Sequence, residues 1–190
     1  MAFDAFMMFA DDKGTTIKAE SQTDFSVASN DELMKGFETD KVFEVDDFSF
    51  DIEQVLNIGS QSSGVGAGKV TFNPFSFSRK TDVASPNFFQ MCCSGTHFNY
   101  ASLALRKAGG GTVSGLAFLR FDFRLVGVKT VSWSGADGDE AMKEEVTFEY
   151  GALTVRYRKQ KPDGTLEAAI PAGWNRVRNK ADQSDVTVAI

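Results

Sequence analysis

Phe43-Glu44-Val45-Asp46-Asp47-Phe48-Ser49-Phe50-Asp51-Ile52-Glu53 decides the fold class. Within it Phe48, Phe50 and Ile52 alternate with Asp47, Ser49, Asp51 and Glu53. A period of two sends successive side chains to opposite faces of a strand, so this stretch predicts a strand with one dry face and one wet face. The same pattern recurs outward along the chain. Phe75 and Phe77 alternate with Ser76 and Ser78. Pro74, just before them, removes a ladder donor and suits a strand start or a bulge. Leu119, Phe121, Phe123 and Leu125 alternate with Arg120, Asp122 and Arg124. Val146, Phe148 and Tyr150 alternate with Thr147 and Glu149; after Gly151, Leu153, Val155 and Tyr157 alternate with Thr154, Arg156 and Arg158. The chain is mainly β and antiparallel.

One helix interrupts the strands. Ser85 suits an N-cap and Pro86 the first helical position. Phe88 pairs with Cys92 and Phe89 with Cys93 at the i,i+4 spacing of one face, and Gly95 can close the helix in the left-handed conformation. The helix from Pro86 to Cys93 is expected to bury all four of these side chains. A weaker helical candidate runs from Asn30 to Gly36. Thr15 to Ser29, the Gly- and Ser-rich stretch from Ile58 to Gly68, and the tail beyond Lys180 read as irregular.

Composition narrows the function classes. The 190 residues fit one domain, placed at 1–180 with a tail at 181–190, and the 18 Phe suit a packed β core. Lys and Arg total 20 against 26 acids, a net charge of −6, and no basic stripe offers a nucleic-acid surface. No apolar run approaches the roughly 20 residues that span a bilayer, so membrane insertion is not expected. Met1 to Phe9 lacks the basic start and long apolar stretch of a secretory signal.

Catalytic chemistry finds little support. His97 is the single histidine, so no two-His metal site exists, and no metal or other cofactor is expected. The adjacent Cys92 and Cys93 read as free, buried thiols rather than a Cys–His nucleophile, because catalytic partners are usually distant in sequence. Gly64-Val65-Gly66-Ala67-Gly68-Lys69 lacks the phosphate-loop spacing, and Gly109-Gly110-Gly111 has no helix after it. Asp137-Gly138-Asp139-Glu140 does not complete the calcium-loop pattern. No catalytic residue is assigned.

Several segments together resemble the hemolysin-coregulated (Hcp) proteins of bacterial type VI secretion. These are the opening Met-Ala-Phe-Asp-Ala-Phe; Ala67-Gly68-Lys69-Val70 with Phe72 to Phe77; the Asp82-Val83-Ala84-Ser85-Pro86 helix entry; and the Cys93-Ser94-Gly95-Thr96-His97 exit. Leu105 to Gly110, Val131 to Gly135, Glu145 to Gly151, and Ala172-Gly173-Trp174-Asn175 with Asn179-Lys180 follow in the same order. Thr15 to Lys41 departs from the shorter Gly-Glu-Ser-Thr-like segment of the family.

The resemblance implies a compact β-barrel of two packed antiparallel sheets with one short α-helix. It implies a homohexamer whose stacked rings form the inner tube of the machine, and as partners the secretion spike, sheath and effector proteins. It also implies a protein made in the bacterial cytoplasm and secreted without a signal peptide. With a ring in mind, the polar faces carrying Asp47, Ser49, Asp51, Ser76, Ser78, Arg120, Asp122 and Arg124 are expected to line the lumen. Gly59, Ser60, Gln61, Ser62, Ser63, Gly64, Val65 and Gly66 are expected to reach a neighbouring subunit. A phage-type tail tube protein and a monomeric carbohydrate- or protein-binding β-sandwich are the alternatives, and ring assembly separates the monomer from the tubes.

Overall fold

A computed structural model describes residues 3–26, 31–57, 66–67, 70–107, 116–163 and 165–182. The strands are β1 (Phe3–Ala10), β2 (Phe43–Glu44), β3 (Asp47–Ser49), β4 (Ile52–Glu53), β5 (Leu56–Asn57), β6 (Gly66–Ala67), β7 (Thr71–Phe72) and β8 (Phe75–Lys80). Helix α1 (Ser85–Ser94) follows, then β9 (His97–Lys107), β10 (Ala117–Ser134), β11 (Lys143–Tyr157), β12 (Ile170–Asn175) and β13 (Lys180–Ala181). Nine strands form one sheet in the order β13-β12-β11-β10-β9-β1-β2, with β8 pairing both β11 and β3.

The long β10–β11 hairpin folds this sheet around its own core. Along β10, buried positions run through Phe123 and then switch parity to Val126; along β11 they run through Tyr150 and then switch to Leu153. The switches meet at Leu125, which adopts a left-handed φ of 52°, and at Gly151. A Cβ on Gly151 would lie 3.0 Å from Leu125 Cδ2, so a larger residue there would have to displace the Leu125 side chain. Leu125 is accordingly exposed rather than in the core, and the two apolar patterns flanking Gly151 belong to one bent strand.

On one side of the bend β11 pairs with β12; on the other it pairs with β8, so the two halves of the sheet face each other. Val45 N donates to Ala5 O and Asp46 N to Ser78 O, carrying the chain from one half to the other. No continuous ladder closes the circuit among the described residues. The sheet is curled, not a closed barrel. The Phe43–Glu53 stretch accordingly breaks into three short strands, since β2 pairs β1 while β3 pairs β8. Phe48 and Phe50 still pack on the core, whereas Ile52 is exposed.

Phenylalanine fills the space between the halves. Phe9 sits 4.9 Å from Phe88 and 5.0 Å from Phe98 in edge-on contacts, and Phe75 lies 5.0 Å from Phe148. Such pairs add about 0.5–1.5 kcal/mol each beyond the area they bury.

Helix α1 begins at Ser85 and ends at Gly95, whose φ of 67° lets its N–H donate to Met91 O. Ala84, not Ser85, occupies the N-cap position. Ser85 Oγ instead accepts from Asp82 N and from Arg79. Phe88 is fully buried, but Phe89 is 53% exposed, Cys93 is exposed and Cys92 half-buried. The expectation that all four are buried fails because only one side of the helix meets the sheet. The Asn30–Gly36 candidate shrinks to a single 3₁₀ turn at Glu32–Met34, capped by Asp31 Oδ1 on Leu33 N.

Candidate functional surfaces

Two polar rows cross the outer face of β3, β8 and β11. Register aligns Ser49 with Ser76 and Thr147, and Asp47 with Ser78 and Glu145. Short side chains follow from the alternation, since Phe75 and Phe77 point into the core while Ser76 and Ser78 take the opposite side; Ser76 is half-buried, whereas Ser78 is 7% exposed and its Oγ is buried without a hydrogen-bond partner among the described residues. Ser76 Oγ lies 2.8 Å from Thr147 Oγ1. Ser49, Asp47 and Glu145 are exposed, and Asp51, beside this face, accepts from Asn73 Nδ2 at 2.7 Å. The structure thus brings together Asp47, Ser49, Ser76 and Ser78 from the expected lumen set.

Arg120, Asp122 and Arg124 lie elsewhere. They occupy the outer face of the other half of the sheet, and Arg120 and Asp122 are about 1% exposed. Arg120 donates through Nε to Asp122 Oδ1 at 2.7 Å, and through its terminal nitrogens to Leu33 O, Lys35 O and Ser102 Oγ. Asp122 also accepts from Ser102 Oγ at 2.7 Å and from Arg156 at 2.8 Å. Arg120 and Asp122 therefore cannot line a lumen from this position. Residues 15–26 and 31–42 cross this face as a strap, and the polar residues of β10 pin it rather than meet water.

The strap builds a second core. Phe25, Leu33, Met34, Phe37 and Val42 pack on Phe6 and Met8 of β1 and on Ala104 and Ala117. Asp31 is 6% exposed and accepts from Arg158 through both carboxylate oxygens, at 2.6 and 2.7 Å. Asp31 Oδ2 also accepts from Ala117 N. The pairings of Asp31 and Arg120 went unrecognised in the sequence. One signal was available: Ala5 to Ala10 is apolar at every position, as in a strand buried on both faces.

A third buried cluster fixes the helix. Arg79, with 0% exposure, donates to Glu144 Oε2 at 2.7 Å, to Asp82 Oδ1 at 2.6 Å and to Ser85 Oγ at 2.9 Å. Its guanidinium lies 4.3 Å from the Phe43 ring centroid, and Trp133 Nε1 donates to the remaining oxygen of Glu144. Every charge here has its partner, as burial demands.

The expected neighbour-reaching residues 59–65 lie outside the described residues. Gly66 lies in β6, opposite Asn57 of β5. Beside the base of this ribbon, an open cleft of about 870 Å³ is lined by Ile52, Phe72, Leu153, Val155, Ala172 and Trp174. A second space of about 700 Å³ continues from it past Tyr150, Arg176 and Val177. Among the described residues, Tyr150 Oη and Trp174 Nε1 are buried without a hydrogen-bond partner. Burial pushes the Tyr150 hydroxyl up to about 12, against the opposing pull of Arg176. No cluster of three or more metal-ligating side chains occurs among the described residues.

The surfaces define a β scaffold whose distinguishing features are polar faces, a strap and the short β5–β6 ribbon. Comparison with known proteins places it. Residues 34–157 match the family model of the type VI secretion system effector, Hcp. Protein hcp1 of Pseudomonas aeruginosa is 36% identical over 112 residues, covering 58% of this chain and 68% of that protein. The crystal structure of Hcp1 from Salmonella typhimurium is similar with a TM-score of 0.67 and 28% identity, over 96% of this chain and 100% of that one. A type six secretion system protein of known structure shares the fold with a TM-score of 0.77 at 23% identity, over 95% and 100% of the two chains. The chain belongs to the Hcp family.

Proposed function

We propose that this protein is a non-enzymatic structural subunit of the type VI secretion inner tube. Copies close into hexameric rings, and the rings stack to carry effectors. Membership of the Hcp family carries this reading, and the paired rows Ser49-Ser76-Thr147 and Asp47-Ser78-Glu145 support it. Short polar side chains on three adjacent strands give a smooth, hydrated wall if this half of the sheet faces the lumen, so cargo passes without sticking. Asp51 extends the same wall. Residues 59–66 reach a neighbouring subunit. The protein is made in the bacterial cytoplasm, leaves by the machine itself, and meets spike, sheath and effector proteins. A net charge of −6 argues against a nucleic-acid partner.

Light scattering with negative-stain microscopy tests this directly. Ring-shaped hexamers are expected without any added cofactor; a monomer across a broad concentration range would refute the tube. With rings in hand, Ser76→Trp should impair cargo retention and leave the rings intact.

A further inference from the structure

We propose that the open seam of the curled sheet binds a free long-chain carboxylate, its alkyl chain along the apolar walls and its headgroup on Arg176, Tyr150 and Trp174. Such a site lies within one chain and needs no second copy, so it stands apart from the tube reading.

No ladder joins β12 or β13 to the β4–β7 pair among the described residues, and the cleft of about 870 Å³ occupies that seam. Its walls are apolar: Ile52 and Phe72 on one side, Leu153, Val155, Ala172 and Trp174 on the other. The second space, about 700 Å³, shares Phe72, Trp174 and Asn179 with it, so the two run into each other. Several hundred Å³ of apolar cleft with a few convergent polar groups is the usual form of a small-molecule site. An alkyl chain laid along the seam removes from water the apolar surface that the missing ladder leaves open.

The polar end offers donors. Tyr150 is 2% exposed, yet its hydroxyl has no partner among the described residues, and neither has the buried indole N–H of Trp174. An indole N–H can only donate, and the raised Tyr150 hydroxyl keeps its proton at neutral pH. Arg176 adds charge. Its Nη1 donates to Tyr150 O and meets Glu149 Oε2 at 3.3 Å, while its Nε and Nη2 have no hydrogen-bond partner among the described residues. Those two nitrogens form a fork that matches the two oxygens of a carboxylate. The guanidinium lies 5.3 Å from the Phe72 ring centroid and 5.1 Å from that of Tyr150, at the edge of the apolar wall. Three donors call for an acceptor-only headgroup, and an ionised carboxylate is one. Glu149 beside Arg176 favours a single negative charge over the nearly two of a phosphate monoester. Tyr150 Oη and Trp174 Nε1 are shut off from water in the free chain. Leu125 and Val177, 49% and 73% exposed, line the same space and can move aside for a headgroup without opening the core.

Laurate, kept below its micelle concentration, tests the site by calorimetric titration into assembled protein and into free chains. Saturable binding of one laurate per chain is expected. Ala172 is exposed on the cleft wall, so Ala172→Trp should fill the seam and abolish binding while the urea midpoint holds. Arg176→Gln should weaken laurate about tenfold and leave dodecanol, which has the chain without the charge, unchanged. Tyr150→Phe should weaken laurate severalfold without lowering the urea midpoint, because its hydroxyl is unpaired in the free chain. Uptake by free chains but not by assembled ones also supports the site and puts it beneath a neighbouring subunit. No saturable binding to either form overturns the proposal and leaves the tube reading in place. Binding that Ala172→Trp or Arg176→Gln leaves unchanged overturns it as well, since laurate would then be acting as a surfactant.

Discussion

Phe88 and Phe89 are neighbours in sequence with opposite fates. Phe88 lies at the centre of the aromatic core, with Phe9, Phe43, Phe77 and Phe98 around it. Phe89 rests on Trp133 at 6.0 Å and meets water. Phe88→Ala should cost about 3–5 kcal/mol in urea unfolding and Phe89→Ala less than about 1 kcal/mol. Cys93, being exposed, should react with a thiol reagent in the native protein well before Cys92, whose Sγ lies 3.8 Å from Lys129 O. Tyr150 contributes a pH dependence of definite sign. Its folded value, about 12, exceeds the ordinary 10.0, so the neutral phenol is the form the fold favours. That contribution is intact below pH 10 and is lost as pH rises through the window up to about 12. Relative to Tyr150→Phe, the wild type should lose about 1 kcal/mol by about pH 11. Parallel losses in both proteins would contradict it.

At the scale of elements, two buried carboxylates pin the strap, Asp31 through Arg158 and Asp122 through Arg120. Asp122 holds Arg120 and Arg156 together, and Arg120 in turn holds Leu33 O and Lys35 O. Asp122→Ala strands a buried guanidinium, so about 3–5 kcal/mol of destabilisation is expected. Limited proteolysis should then cut within residues 15–42 first. Adding Arg120→Met should recover part of the loss; no recovery would mean that the charge is not the cause.

The same elements mark what could be read in advance. Strand β8, the two runs of β11 and helix α1 were legible because period two and the Ser-Pro entry with its Gly exit are local signals. Arg120 and Asp122 were misplaced because alternation states only which side of a strand a residue takes. It does not state whether water or another layer lies there. The strap carries no periodicity, so its packing appears only when Phe25, Leu33 and Phe37 meet the outer face of β1 in three dimensions. The face proposed to line the lumen was half legible: Ser49 and Ser76 share it through register, which follows from strand pairing rather than from either stretch alone.

At the scale of the whole molecule, the two cores share their strands. Met7 and Phe9 of β1 face the main core, while Phe6 and Met8 face the core beneath the strap. Strand β10 does the same, with Phe123 on one side and Arg120 and Asp122 on the other. Neither core can lose its packing without exposing a strand that the other requires. One cooperative transition is therefore expected, with residues 1–180 behaving as a single domain. Leu33, buried at 0% exposure in the second core, probes this. Leu33→Ala removes a buried side chain worth about 2–5 kcal/mol and should lower the one midpoint seen by both circular dichroism and tryptophan fluorescence. Trp133 and Trp174 lie outside the second core, so their fluorescence reports on the rest of the molecule. If the circular dichroism midpoint falls while the tryptophan midpoint stays in place, the strap unfolds as its own unit, and the shared-strand account of this fold is wrong.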